Sequence, residues 1–350
     1  MNILYVITGL GGGGAEKVVC DLADKMHNFG HQVKIVYLKG RKITVKPQSN
    51  DIELIYLGLE NLISFYSASV KLKKIINEFK PDVIHSHMVH ANLFVRLNRL
   101  FVLMPKLICT AHNANEGGYI RMKLYSLTNN FSDLDTNVSK EALERFINIK
   151  AFDEKSVAIY NGIDLKKFKF SKKNRGNVIN ILAVGRLTEQ KDYPNFLKAL
   201  SLLPNKSIIS VKIVGDGSER SNIQKLISEY KLENTVEMLG RREDIPQLFS
   251  KADIFVLSSL YEGFGLVVAE AMASNTFVVA TDCGGVKEVM GGHGILVPPK
   301  DSDALAKGIL SAINLSDEKI CINNSEARNH VSNNFDIDKI VEQWLEVYEK

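Results

Sequence analysis

The chain has 350 residues, 45% of them hydrophobic and 24% charged, with a formal net charge of +4. That is ordinary globular composition, too long for one small core, so two domains are expected. The mild charge lacks the dense basic stripe of a nucleic-acid binder and excludes that class.

The charge is uneven. Residues 1–160 hold 20 Lys and Arg against 15 Asp and Glu, whereas residues 161–350 hold 24 against 25. A modestly basic first half suits a phosphorylated ligand or an anionic membrane surface. Cys20, Cys109, Cys283 and Cys321 are scattered, with no Cys-x-x-Cys pair, so a reduced, cytoplasmic protein is expected. The start, Met1-Asn-Ile-Leu-Tyr-Val-Ile-Thr-Gly9, has no basic region and too short an apolar run for a signal peptide. The most membrane-like stretch, residues 93–110, carries Arg96, Arg99, Pro105 and Lys106 and cannot span a bilayer. Any membrane contact is therefore expected to be peripheral, on the cytoplasmic face of an inner membrane.

In chain order, short β-rich runs alternate with amphipathic helical stretches. Ile3–Thr8 reads as a strand, Ala15–Phe29 as a helix, and Gln32–Leu38 and Ile52–Leu57 as strands. Val70–Phe79 is predicted helical, and Asp82–Ser86, Leu107–Ala111 and Leu134–Val138 are predicted strands. This is βαβ grammar and implies a parallel sheet covered on both faces. Residues 166–176, polar, basic and without period, read as a linker. New strands then follow: Ile179–Val184, Ile208–Val214, Val236–Leu239, Asp253–Leu257, Phe277–Ala280 and Ile295–Val297, with helices between them. Ile337–Lys350 is predicted helical, with Ile340, Val341, Trp344, Leu345 and Val347–Tyr348 on its apolar side.

The expected fold class is α/β, two Rossmann-like doubly wound domains. Residues 1–165 form the first, 177–334 the second, and a closing helix over 335–350 packs back on the first. A cleft between the carboxyl ends of two such sheets is where ligands are expected.

Gly9-Leu-Gly11-Gly-Gly-Gly14 satisfies Gly-x-Gly-x-x-Gly between a strand and a helix. The dinucleotide fingerprint also needs an acid near the end of the second strand. Here that strand runs into Lys39-Gly-Arg41-Lys42, which leaves a 2′-phosphate, and so NADP, open on this point alone. Physically, such glycines let backbone amides approach an anion at a helix N-terminus.

In the second half, the strand Asp253–Leu257 runs into Ser258-Ser-Leu-Tyr-Glu262-Gly-Phe-Gly265, and a helix over Leu266–Ala273 follows. Glu262 is thus placed in the loop at a strand's carboxyl end. The amides of Phe264, Gly265 and Leu266 are expected as helix-start donors for a phosphate. Glu270 falls one to two turns into the helix, in an apolar setting, where a carboxylate accepts hydrogen bonds from vicinal sugar hydroxyls. Arg186 and Lys191 follow the strand Ile179–Val184; a guanidinium fork and a point charge there suit a diphosphate and stabilise its departure without a metal. His85-Ser-His87-Met-Val-His90 lacks zinc-ligand spacing and has no neighbouring acid or cysteine, so no metal site is expected. His87 is placed toward an acceptor. The clusters Lys39, Arg41, Lys42, Lys46 and Lys71, Lys73, Lys74, the latter preceded by Phe65 and Tyr66, are solvated faces or contacts for anionic lipid.

Together, Glu262-x7-Glu270, Gly185-Arg-Leu…Lys191, Val214-Gly-Asp-Gly217, Tyr160-Asn-Gly-Ile-Asp164, Thr281-Asp-Cys-Gly-Gly285 and the N-terminal Gly-Gly-Gly-Ala-Glu-Lys17 resemble the retaining glycosyltransferases of family four, which have the GT-B fold. The resemblance spans nearly the whole chain and is more specific in the second half. It implies that Glu262 contacts the donor sugar, that Glu270 contacts the nucleotide ribose, and that Arg186 and Lys191 hold the diphosphate. It further implies that Gly13 and Gly14 approach the phosphate, that Gly263, Phe264, Gly265 and Leu266 complete the donor pocket, and that His112 lies near the transferred sugar. One departure is Gln190-Lys191-Asp192, where many members have Glu-Lys-Gly.

The expected activity is transfer, with retention, of a sugar from a nucleotide sugar, a UDP-sugar foremost, to a hydroxyl of an acceptor. That acceptor is expected to be a saccharide or lipid-linked oligosaccharide of surface-polysaccharide synthesis, and no metal or other cofactor is required. The alternatives are a sugar-nucleotide epimerase of the same architecture, an NADP-dependent oxidoreductase and a non-catalytic sugar-binding protein.

Overall fold

The computed structural model describes residues 1–61, 63–114, 116–171 and 175–350. The chain divides into two compact units, Met1–Gly162 with Ile337–Lys350, and Ile163–Asp336.

The first unit runs β1 (Asn2–Ile7), α1 (Gly14–Asn28), β2 (Gln32–Tyr37), β3 (Glu53–Tyr56), α2 (Phe65–Phe79), β4 (Val83–His87), α3 (Val89–Asn98), β5 (Lys106–Ala111), α4 (Gly118–Thr128), β6 (Leu134–Asn137), α5 (Lys140–Asn148) and β7 (Val157–Ala158). The second runs β8 (Ile179–Val184), α6 (Tyr193–Ser201), β9 (Ile209–Val214), α7 (Arg220–Glu229), β10 (Val236–Gly240), α8 (Ile245–Lys251), β11 (Ile254–Leu257), α9 (Leu266–Ala273), β12 (Phe277–Thr281), α10 (Val286–Met290), β13 (Ile295–Val297), α11 (Ser302–Ile313) and α12 (Asp317–Asn334). The chain then returns to the first unit with α13 (Ile337–Glu349).

The strand orders are β3-β2-β1-β4-β5-β6-β7 and β10-β9-β8-β11-β12-β13, and every pair is parallel. Continuous apolar runs such as Ile3–Ile7 and Ile254–Leu257 are buried throughout, as strands covered on both faces must be. Counted from its own start, each unit's order reads 3-2-1-4-5-6, with β7 added as a seventh strand at the edge of the first sheet; this is the doubly wound dinucleotide-fold order. The order of winding reverses between β1 and β4 and again between β8 and β11. Ligand crevices of such sheets open at these switch points, beyond the carboxyl ends of the strands.

The loops at those points are the ones rich in glycine and charge. Thr8–Gly13 follows β1, and Gly185–Asp192 and Ser258–Gly265 follow β8 and β11.

Ile337, Ile340, Val341, Trp344 and Tyr348 of α13 are buried in the first unit's core with Tyr5, Val19 and Ile35. Gly162 is required where the chain leaves this unit, because a Cβ there would stand 2.7 Å from Cα of Ile337. The segment expected as a linker belongs to the second unit where it is described. Phe168 is buried against Phe249, and Arg175 donates to the carbonyls of Ala312 and Leu315 at 3.1 Å. A single apolar anchor among lysines breaks the solvated pattern; residues 172–174 of that segment lie outside the described residues.

Candidate active site

In the second unit, the β8 and β11 loops are laced together. Ser258 Oγ donates to the Lys191 carbonyl at 2.7 Å, Leu260 N to the Gln190 carbonyl at 2.8 Å, and Gln190 Nε2 to the Tyr261 carbonyl at 2.8 Å. This lacing brings Lys191 Nζ to 2.5 Å from Glu262 Oε1, which also accepts from Ser259 Oγ at 2.6 Å. The pair is largely buried, with side-chain exposures of 16% and 10%. A shielded ion pair with a third donor holds its geometry and presents a fixed dipole. Tyr193, beneath the loop, has its phenol pushed up, first by burial and then by the Glu262 carboxylate.

Backbone proximity supports these loops from behind. Gly215 and Gly217 pack on the β8 loop, where Cβ atoms would stand 1.8 Å from the Gly185 carbonyl and 2.3 Å from the Leu187 carbonyl. Gly284, at φ +58°, packs on the β11 loop, where a Cβ would stand 1.9 Å from the Glu262 carbonyl oxygen. Thr281 Oγ1 donates to the Ser259 carbonyl at 2.6 Å, and Gly285 N to the Gly263 carbonyl at 3.2 Å. The motifs around Gly215 and Gly284 are therefore backbone supports for the charged loops.

Gly265 enters α9 at φ +86° and no side chain caps that helix. Gly263, Phe264 and Gly265 are buried, while Leu266 is half-buried at the first helical position. Glu270 is buried deeper in α9. Arg186, by contrast, is exposed and makes no side-chain hydrogen bond or ion pair among the described residues. Asp192 stands at φ +44°, ψ +49°, a left-handed position that Asp tolerates. Its carboxylate accepts from Asn195 N, which caps α6, so the sequence departure there keeps the turn and adds a cap.

In the first unit, Gly13 is the N-cap of α1, in extended conformation. Space beside Gly14 is open; a Cβ there would meet nothing within 4 Å. His112 follows β5, and its Nε2 lies 3.0 Å from Nδ1 of His87 at the end of β4. The two rings line a recess with Val18, Asn161 and Trp344. Desolvation pushes His112 down to about 4, and burial holds His85 and His87 well below the ordinary imidazole range. All three are neutral at physiological pH. His85 uses both nitrogens, Nδ1 with Tyr348 Oη at 2.7 Å and Nε2 with Thr110 Oγ1 at 2.6 Å. It is a core residue tying α13 to the sheet. His87 Nε2 is buried without a hydrogen-bond partner. No group of three or more His, Cys, Asp or Glu side chains among the described residues is placed to hold a metal. Burial pushes the thiol of Cys20 up to about 12, which makes it core filler.

Sequence reasoning thus brought Lys191 and Glu262 together and placed Arg186 on the same loop as Lys191. It missed Ser259 and Gln190, whose only signal was their position at the ends of adjacent strands. It also missed the His87–His112 contact, since neighbouring strands are not neighbours in sequence.

Two doubly wound units with charged, glycine-supported loops at the second switch point have the architecture of a GT-B protein. Residues 164–334 match the family of glycosyl transferases group 1, and residues 12–167 match glycosyltransferase family 4. The chain belongs to this family and is a glycosyltransferase. That membership sets aside the nicotinamide, epimerase and non-catalytic readings.

The chain is 26% identical over 345 residues to the N-acetylgalactosamine-N,N'-diacetylbacillosaminyl-diphospho-undecaprenol 4-alpha-N-acetylgalactosaminyltransferase of Campylobacter jejuni, covering 90% of each chain. It is 24% identical to the UDP-Gal:alpha-D-GlcNAc-diphosphoundecaprenol alpha-1,3-galactosyltransferase of Escherichia coli, covering 82% of this chain and 80% of that one. Its fold matches that of Anabaena HepE, solved in complex with UDP-glucose, with a TM-score of 0.86 at 24% identity over 100% and 99% of the two chains.

Proposed function

We propose that this enzyme transfers a sugar, with retention, from a UDP-sugar to a hydroxyl of a diphosphate-lipid-linked saccharide in surface-polysaccharide synthesis. The observation that carries the reading is the shielded Lys191–Glu262–Ser259 cluster beside the uncapped start of α9. Lys191 and Arg186 neutralise the leaving diphosphate, and the α9 amides donate hydrogen bonds to its oxygens. Glu262 orients the sugar, and Glu270 holds the ribose. Gly13 and Gly14, at the start of α1 with open space beside Gly14, are the first unit's donor-binding candidates for an anion. Because Glu262 Oε1 is already engaged by Lys191 and Ser259, it is a poor nucleophile for double displacement. Front-face transfer fits better: the acceptor oxygen bonds to the anomeric carbon as the bond to the phosphate oxygen breaks, and that phosphate takes the acceptor's proton. Neutral His112 donates or accepts a hydrogen bond at the transferred sugar. No metal or other cofactor is required, since the cations are protein groups. The relatives' names supply the lipid-linked acceptor class. The basic first half supports a peripheral, cytoplasmic-face location. No helix among the described residues is long and apolar enough to cross a membrane.

The test is incubation with UDP-, GDP- and ADP-sugars and a short-chain diphosphate-linked acceptor, with the product read by NMR. A new α-linkage from an α-linked UDP-sugar is expected; a β-linkage would rule out retention, and no product with any UDP-sugar would rule out the donor class.

A further inference from the structure

His85 and His87 fall on one face of β4, because alternate residues of a strand share a face. His85 pairs across the ladder with Ile108 and His87 with Thr110, so each imidazole reaches diagonally to the side chain two residues beyond its partner. His85 thereby meets Thr110 Oγ1 at 2.6 Å, and His87 Nδ1 meets His112 Nε2 at 3.0 Å. The two rings differ in what else they touch. His85 has a second partner in Tyr348 Oη, whereas His87, 1% exposed, has none for its Nε2. The rings that flank His87 are those of His85, with centroids 4.0 Å apart, and Tyr5, at 5.8 Å. Both are committed elsewhere, since Tyr5 Oη bonds Tyr348 Oη at 3.1 Å. A phenylalanine would fill this place without leaving a buried polar atom unpaired. What offsets the cost of the imidazole is therefore its one bond, at Nδ1.

The backbone beside His87 is strained. Met88 stands at φ +72°, ψ +152°, in a region that is essentially glycine's. Such strain persists only where the surroundings over-determine it, and Met88 N donates to the Thr110 carbonyl at 3.1 Å, which fixes the end of β4 against β5.

Both rings are neutral, so one proton lies between them. If it belongs to His112, then His87 carries its own proton on Nε2, as a buried N–H with no acceptor. If it belongs to His87 Nδ1, then Nε2 is bare and no N–H is orphaned. Buried N–H groups without acceptors are rarer than under-satisfied acceptors, which selects the second arrangement. His112 then accepts at Nε2 and carries its proton on Nδ1. Its ring is half-buried, and Nε2 is the one ring nitrogen engaged among the described residues. Its main chain is held separately, with N donating to Glu116 Oε1 at 2.7 Å.

We propose that His87 is a positioning residue that donates from Nδ1 to His112 Nε2 and so fixes His112 as an Nδ1–H donor. His112 then gives a hydrogen bond to an oxygen of the transferred sugar, and through that nitrogen it cannot act as a base toward the acceptor hydroxyl. The consequence for transfer rests on the reading that His112 touches the sugar; the tautomer itself does not.

The test is a long-range proton–nitrogen NMR spectrum of the full-length protein labelled with 15N-histidine, beside turnover of the UDP-sugar that the native enzyme uses. The His112 signals are identified by their loss in His112→Ala. Native His112 should show a protonated Nδ1 and a bare Nε2. His87→Phe keeps a ring in place but removes the donor. In it His112 should shift to Nε2–H or to a mixture of tautomers, and kcat should fall about five- to ten-fold while the donor KM and the melting temperature stay near native. His87→Asn puts an amide where Nδ1 stood, and should restore the Nδ1–H signal and most of kcat. An Nε2–H or mixed His112 in the native protein would overturn the proposal, and so would a native tautomer in His87→Phe. Should His87→Phe not fold, the native spectrum and the His87→Asn variant still decide. A native Nδ1–H signal together with undiminished transfer by His112→Ala would leave the tautomer standing and sink the placement of His112 at the sugar.

Discussion

The two switch-point regions are built by different means. In the second unit the site is made of backbone pressed on backbone: Gly215 and Gly217 against the β8 loop, Gly284 against the β11 loop, and one buried ion pair fixed between them. In the first unit it is made of neutral imidazoles stacked at strand ends, an open glycine turn, and an apolar exterior nearby. A diphosphate demands fixed charges and close amides, which only a narrow set of residues supplies. A hydroxyl acceptor demands only a hydrogen bond and a shaped surface, which many side chains supply.

The sharpest way to break this contrast is to remove the second unit's charge. Lys191→Ala should lower kcat by about 10²–10³, with little change in secondary structure by circular dichroism. Near-native turnover would show that Lys191 does not stabilise the leaving group. Next in size, Gly284→Ala should destabilise the second unit by about 2 kcal/mol or more, since the residue is left-handed and its Cβ would overlap the Glu262 carbonyl. Differential melting should show the loss, and activity should fall with it because Glu262 moves.

The first unit should respond differently. His112→Ala should cost about 10–100-fold. The native pH–rate profile should show no inflection from this group between pH 5 and 8, because desolvation keeps it near 4. An inflection near 6.5 that the variant abolishes would mean that His112 works as the imidazolium.

The same contrast explains what could be read in advance. All six strands of the second sheet were legible, because parallel strands buried on both faces are apolar runs bounded by turn residues. Lys191 and Glu262 were legible because each falls in a loop at the carboxyl end of an apolar strand, β8 and β11. In the first unit β7, two residues long, leaves no periodic trace, and the outward face of α4 is the inverse of the pattern that marks a surface helix. The hydrogen bond between His87 and His112 joins adjacent strands 25 residues apart in sequence, which no local period reports.

The smallest expected effect probes how the first unit holds its histidine loop. Glu116 accepts from His112 N at 2.7 Å and from Tyr125 Oη at 2.6 Å, and desolvation pushes it up to about 7. Its folded-state affinity for a proton exceeds that of the unfolded chain. This group's contribution to stability is therefore largest below about pH 4.5 and is lost as pH rises through about 7. His112 has the opposite sign. Its folded value of about 4 lies below the ordinary 6.5, so its contribution is full above 6.5 and is lost as pH falls toward 4. Glu116→Gln keeps an acceptor for His112 N and removes only the carboxyl titration, while the His112 contribution is common to both proteins and cancels. The melting temperature of the variant minus that of the native enzyme should be near zero at pH 4 and rise by a few degrees to a plateau above pH 7. A difference that is flat with pH, or that falls, would mean that Glu116 is ionised at no cost and that the His112 loop is held by a charged acceptor.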